Sequence, residues 1–191
     1  MLLHSVQTGV VRRVAAGGRT ILSAIGKTPV HGAVQVKPLG LVGDEQADLT
    51  VHGGLEKAVY AYPLAHYGFW NDLRQRAGLA EIDTGLQPGA MGENLTLSGL
   101  TESDVWVGDL LVFSDCTLRV TQPREPCYKF NLALGFNTAV RRMAESGFCG
   151  FYLSVEKPGT LRAGETFELR GGPRRIGIPE RFSAKMLKHL R

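Results

Sequence analysis

The chain contains almost nothing that would place it in a membrane, a secreted scaffold or a zinc module. No apolar run approaches the roughly 18 residues that a membrane-spanning helix needs, so no membrane partner is expected. Met1-Leu2-Leu3-His4-Ser5-Val6 has neither a basic n-region nor a long h-region, so it does not read as a secretory signal and the cytoplasm is the expected compartment. Only three cysteines occur, Cys116, Cys127 and Cys149, widely spaced and with no CxxC pair. That rules out a disulfide framework and a zinc knuckle, and cytosolic thiols stay reduced. The five histidines, His4, His31, His52, His66 and His189, are scattered without metal-ligand spacing. There is no GxGxxG, HExxH, GxSxG or P-loop pattern, no internal repeat and no low-complexity segment.

What remains is a glycine-rich globular chain. Its 191 residues suit one domain, or one domain with an appendage, and can bury a sizeable core. Twenty-four glycines point to many turns and short strands rather than long helices. The net charge of +4 hints at nucleic acid, but its distribution speaks against that. From Gly171 onward six basic residues, Arg174 to Arg191, face Glu180 alone, so residues 1–170 carry a net charge of −1. The basic tail has no interleaved aromatics to stack on bases, and polymeric nucleic acid is not an expected partner.

Strands are expected over 2–14, 20–25, 32–36, 47–51, 57–60, 93–97, 110–113, 117–121, 150–156 and 165–170, punctuated by glycine turns. Helices are expected after Pro63, where Leu64, Tyr67, Trp70 and Leu73 recur at helical spacing up to Gly78, and over 137–146 between Asn137 and Gly147. Residues 171–180 read as linker, and 183–191 as a short amphipathic helix with Met186, Leu187 and Leu190 on one side. The expected fold is mainly β: a β-barrel over residues 1–170, with two or three interrupting helices, followed by a basic linker and short C-terminal helix over 171–191.

Chemistry concentrates in Gln122-Pro123-Arg124-Glu125-Pro126-Cys127-Tyr128-Lys129. Two prolines stiffen the approach to Cys127, and nearby cations favour the thiolate, the form that binds metal or attacks electrophiles. Alone, the motif reads equally as a small buried residue in a proline-rich loop. Val51-His52-Gly53-Gly54 is a second cluster, with Lys57 just beyond. It reads either as a backbone nest for an anion or as a plain turn with an exposed histidine. Asp44 and Glu45 in Gly43-Asp44-Glu45, and Asn94 in Gly92-Glu93-Asn94, could hydrogen-bond a heterocycle or could be ordinary loop residues. Lys27, in Ser23-Ala24-Ile25-Gly26-Lys27-Thr28-Pro29, is a weak phosphate candidate.

Taken in order, Gly40 to Ala47, Val51-His52-Gly53-Gly54 with Lys57-Ala58, Gly92-Glu93-Asn94-Leu95, Gly108-Asp109 and Gln122 to Lys129 resemble the MOSC domain family, named for the C-terminal domain of molybdenum cofactor sulfurases, and within it the standalone bacterial YiiM-type branch. The resemblance spans about residues 5–170. It implies a β-barrel-like fold that binds molybdenum cofactor (molybdopterin), with Cys127 as molybdenum ligand or persulfide carrier. The cofactor's phosphate needs N–H donors and cations, which the His52-Gly53-Gly54 nest, Lys27, Lys57 or Arg124 could supply, and its flat pterin needs paired donors and acceptors, which Asp44, Glu45 or Asn94 could provide. Reductase members act on N-hydroxylated small molecules, such as hydroxylamino-purines and amidoximes, with electrons from a donor protein. The alternative it implies is a sulfur carrier or cofactor-delivery protein. That role needs a sulfurase partner, since this chain is too short for a pyridoxal-phosphate domain. Longer YiiM-type members continue into a three-helix extension that the tail here does not resemble, and a homodimer is left open.

Overall fold

Val59-Tyr-Ala-Tyr-Pro63 contains no charged residue, and a strand of that composition must be covered on both faces. All five residues are buried, and this strand forms the middle of the sheet on which the rest is built. The structure is a computed structural model and describes residues 1–16, 18–47, 53–79 and 85–189, with side chains to residue 187. In chain order its strands are β1 (Leu2–Thr8), β2 (Arg12–Ala16), β3 (Arg19–Ser23), β4 (Thr28–Pro29), β5 (Ala33–Lys37), β6 (Gly40–Leu41), β7 (Val59–Pro63), β8 (Leu95–Ser98), β9 (Leu110–Val112), β10 (Thr117–Pro123), β11 (Phe151–Lys157), β12 (Gly159–Arg162) and β13 (Glu168–Arg170). The helices are α1 (Tyr67–Arg76), α2 (Tyr128–Leu134), α3 (Ala139–Ser146) and α4 (Ile178–His189).

Eight strands form one mixed sheet in the order β13-β9-β10-β11-β7-β8-β1-β4; β5, β6 and β12 form a second sheet, and β2 pairs only with β3. The molecule is therefore mainly β, as expected, with four helices among the described residues. The eight-strand order is open, so the ladder does not establish the expected closed barrel. The ends of the sheet do approach one another through the segment leading into β13. Leu3 donates its N–H to the Glu165 carbonyl at 2.8 Å, and Gly164 donates to the Leu3 carbonyl at 2.8 Å.

Every ladder in the main sheet is antiparallel except β7–β8. A parallel neighbour needs a crossover, and α1 supplies it. Trp70 and Tyr67 of this helix are buried, and the Trp70 indole donates to the Tyr62 hydroxyl at 2.5 Å. The aromatic stripe read from the sequence is thus a core face. His66, in the turn before α1, is buried and structural: its Nε2 lies 2.6 Å from Glu102 Oε2, and its ring stacks on Phe148.

Several expected elements are corrected. The long first strand breaks at Gly9 into β1 and β2. The strand expected over 47–51 lies largely outside the described residues. β12, which begins at Gly159 and pairs with β5, is a strand that the sequence reading did not include. The final helix begins at Ile178 rather than Ser183, and its buried stripe is Ile178, Phe182 and half-buried Met186, at i, i+4 and i+8. Leu187 is exposed. The segment before that helix is docked to the body. Gly172 donates to Asp109 Oδ1 at 2.7 Å, Ile178 donates to the Val105 carbonyl at 3.0 Å, and the Arg174 guanidinium covers the Trp106 ring at 4.6 Å.

Candidate functional site

Pro123 ends β10 opposite Phe151, where a residue without an N–H costs the ladder least. The chain then turns through Arg124, Glu125 and Pro126. Cys127 remains extended (φ −122°, ψ 168°) and caps α2, a helix whose buried Phe130 and Leu134 are four residues apart and which ends on left-handed Gly135. The loop is held from behind by α4: the Lys185 ammonium donates to Gln122 Oε1 at 3.1 Å and to the Glu125 carboxylate.

Cys127 and Arg124 open onto a cleft of about 110 Å³ that is continuous with solvent. Of the residues anticipated from sequence, Cys127, Arg124, Lys57, Lys27, Asp44, Gly53 and Asn94 all line it. His52 lies outside the described residues. Gly54 does not line the cleft. At φ 79°, ψ 177° it caps a 3-10 turn in a conformation reserved to glycine, and this is not the αR–αL alternation that the anion nest required. Gly53 (φ +92°) has Gln46 packed so tightly against it that a Cβ would fall 1.7 Å from Oε1. Gly92 (φ +80°) is likewise bare, because a Cβ there would meet Ile25 Cγ1 at 2.8 Å.

The anticipated polar residues differ in how they are balanced. Asp44 Oδ1 accepts the Gly9 N–H at 2.8 Å and the Lys27 ammonium, both side chains being nearly buried. Burial pulls the Lys27 ammonium below its ordinary pKa, and the Asp44 carboxylate restores part of it. Glu45 Oε2 accepts the Val11 N–H at 2.6 Å. Asn94 stitches the sheet: its Oδ1 accepts from Tyr60 N at 3.1 Å, and its Nδ2 donates to the Gln7 carbonyl at 3.3 Å. Its neighbour Glu93 is fully buried and accepts from the Tyr67 hydroxyl, the Gly89 and Met91 N–H groups and the Thr96 hydroxyl. Burial nevertheless raises its pKa.

Arg124 is different. It is only 6% exposed, and its guanidinium lies 5.2 Å from the Tyr60 ring centroid and 4.8 Å from that of Phe130, with Met143 Sδ 3.7 Å from Nη1. Among the described residues no carboxylate comes within ion-pair distance of it. Burial raises the pKa values of Tyr60 and Tyr152, so both stay neutral phenols; Tyr60 offers its ring face and Tyr152 a hydrogen bond, and neither is a counter-charge. An arginine does not deprotonate to escape burial. Among the described residues the cleft therefore holds a buried cation with no carboxylate beside it.

Sequence reasoning missed Tyr60, Tyr152 and Gln46, which also line the cleft. Tyr60 sits in an all-apolar strand and Tyr152 in a strand read only for its alternation, and neither carried a signal separating it from the core. The three thiols separate cleanly. Cys116 and Cys149 are buried. Burial pushes Cys116 up to about 12 and raises Cys149 as well. At pH 8 the Cys116 thiolate fraction is on the order of 10⁻⁴. Iodoacetamide at that pH is expected to label Cys127 in the native protein and the other two only after unfolding, as read by peptide mass mapping. Native labelling of Cys116 or Cys149 at the rate of Cys127 would contradict this assignment.

A half-exposed thiol and a buried guanidinium that meets no carboxylate among the described residues make a cleft suited to an anionic ligand that presents a soft atom to sulfur. Comparison with known proteins agrees in kind. A MOSC domain family model matches residues 48–168. Protein YiiM of Escherichia coli (strain K12) is 40% identical over 147 residues, which cover 77% of this chain and 63% of that protein. A protein named reductase from Gibberella moniliformis (strain M3125 / FGSC 7600) is 34% identical over 173 residues, covering 90% of this chain but 30% of its partner in the alignment. The crystal structure of YiiM from Geobacillus stearothermophilus superposes with a TM-score of 0.75 at 28% identity, covering all of this chain and 86% of that one.

Proposed function

The chain belongs to the MOSC domain family and is similar to its YiiM proteins, and from that premise we propose that it binds molybdenum cofactor and reduces N-hydroxylated small molecules. The single observation that carries this reading is the Arg124 guanidinium, buried without a carboxylate in the same cleft as the half-exposed Cys127 thiol. A buried unpaired charge costs several kcal/mol, of order, unless a ligand completes it. A phosphate or dithiolene anion does so.

The residues present fit the group. Cys127 offers the soft donor that molybdenum prefers. Arg124 and Lys57 offer positive charge to a phosphate, and the Gly53 backbone lines the same cleft. Lys27 joins the same wall as an ion pair with Asp44, whose second carboxylate oxygen, together with Asn94, is assigned to the pterin edge. Bound there, the cofactor supplies two-electron redox chemistry at molybdenum. The net change breaks N–O, consumes two electrons and two protons and releases water, so an electron-donor protein is required. Tyr60 and Tyr152 wall the cleft with neutral rings and leave Arg124 as its dominant fixed charge. The same reading takes the hydrogen bonds between residues 164–167 and β1 as the seam of the family's barrel. The protein named reductase in Gibberella moniliformis supports the class of reaction.

The test is elemental. Protein purified from a host that makes the pterin cofactor is expected to carry molybdenum in a ratio approaching one per chain, and protein from a host without that pathway to carry none. Reduction of an amidoxime with a chemical electron donor should follow the metal content. Metal-free protein from the cofactor-replete host would overturn the reading.

A further inference from the structure

A second depression, of about 270 Å³, opens between the β2–β3 hairpin and α2, and of the residues that line it only Lys27 has a role assigned above. The hairpin is a two-stranded sheet of its own, and Val14 pairs with Ile21 across it. Alternation sets its faces: Val14 and Ile21 are half-buried toward the depression, while Arg13, Thr20 and Leu22 point to solvent. Lys129, in the first turn of α2, donates to the Leu22 carbonyl at 3.0 Å and fastens the hairpin to that helix. Leu132 and Ala133 of α2 form the opposite wall.

Two properties define what this space takes. Its lining is largely apolar, with two lysines and no carboxylate. Lys27 already has Asp44 as counter-ion, whereas Lys129 is bonded only to a neutral carbonyl and forms no ion pair among the described residues. The depression also shares Ser23, Ile25, Lys27 and Lys129 with the cleft around Cys127, so the two adjoin along those residues.

We propose that this depression is a substrate subsite, and that the chain's substrates carry their N-hydroxyl group on an apolar aryl body that is uncharged or anionic at its far end. The inference rests on the reductase reading. The aryl body lies between Ile21 and Leu132 and removes their half-exposed surface from water, while Lys129 favours a carboxylate at the rim and disfavours a cation. The reducible head then reaches the Cys127 chamber.

The test uses cofactor-loaded protein and four amidoximes: acetamidoxime, benzamidoxime, 4-carboxybenzamidoxime and 4-trimethylammonio-benzamidoxime. The expected kcat/KM for benzamidoxime exceeds that for acetamidoxime by about ten- to a hundredfold, the gain from burying an aryl group. The carboxylate is used at least as well as the neutral compound, and the trimethylammonio compound about threefold worse or more. Ile21→Asp brings the aryl-to-methyl ratio close to one, and Lys129→Gln removes the advantage of carboxylate over cation. A dissociation constant for 4-carboxybenzamidoxime, measured without electron donor, separates the two readings. Tight binding that Ile21→Asp weakens, with no turnover of any amidoxime, retains the subsite and overturns the reductase. Equal turnover of the methyl and aryl compounds, or an Ile21→Asp protein with an unchanged ratio, overturns the subsite and leaves the reductase standing.

Discussion

A Cys127→Ser protein is expected to fold, to retain cofactor held through the phosphate end, and to lose amidoxime turnover by about a thousandfold or more, equivalent to about 4 kcal/mol in the barrier. The substitution changes little in shape at a position that is half-buried and already extended. It replaces a soft, ionisable sulfur with a hydroxyl that keeps its proton at neutral pH and is a poor ligand for a soft metal. Turnover, molybdenum content and thermal unfolding, measured on one preparation, separate lost chemistry from lost structure. A serine protein with wild-type turnover would end the assignment of Cys127 as the metal ligand. A wild-type protein that lacks turnover but acquires a persulfide on Cys127 from a sulfurase would identify it as a sulfur carrier instead.

Arg124→Met should move two quantities in opposite directions. In the cofactor-free protein the guanidinium is buried, and no carboxylate among the described residues pairs with it. A flexible apolar side chain of similar length removes that cost, about 1–4 kcal/mol where buried charges have been exchanged for apolar groups. The lost contacts with Tyr60 and Phe130 return about 0.5–2 kcal/mol of it. The cofactor-free variant should therefore unfold at the same temperature as the parent or above it. Cofactor retention should fall by about tenfold to a hundredfold, since a hydrogen bond to a charged group contributes about 1.5–3 kcal/mol. A variant that melts lower and keeps all its molybdenum would make Arg124 a structural residue, and with it the main support for the anion site would go.

Much of the site is written in local chemistry. Two prolines, a cysteine and flanking cations point to Cys127 and Arg124, and paired glycines point to the wall at Gly53. These features survive folding because they act on neighbouring atoms. What sequence does not carry is how charges are distributed among partners. Lys27, Lys57 and Arg124 look equivalent along the chain, yet Asp44 returns across the fold to neutralise Lys27 and no carboxylate reaches Arg124. Asn94 offers a carboxamide like any other, and only the approach of β7 and β1 engages it with Tyr60 and Gln7. The fold behaves in the same way. Short strands flanked by glycine were legible, and so was α1 with its regular aromatic spacing. α2 was hidden because Pro123 and Pro126 read as loop, although a proline just ahead of a helix is compatible with its start. The parallel β7–β8 pair was hidden because direction is set by the α1 crossover and leaves no mark on either strand.

The bare stretches at Gly53 and Gly92 carry a consequence for how this cleft can diverge. Both positions sit at positive φ, and both meet a neighbour before a methyl group could fit. Mutation cannot decorate these two positions with new polarity, because the Gln46 and Ile25 side chains already occupy the space a Cβ would take. Selectivity among ligands has to be written in the remaining lining, at positions such as Lys57, Tyr152 and Lys129. Homologues that share this scaffold should therefore keep a constant backbone surface and vary around it.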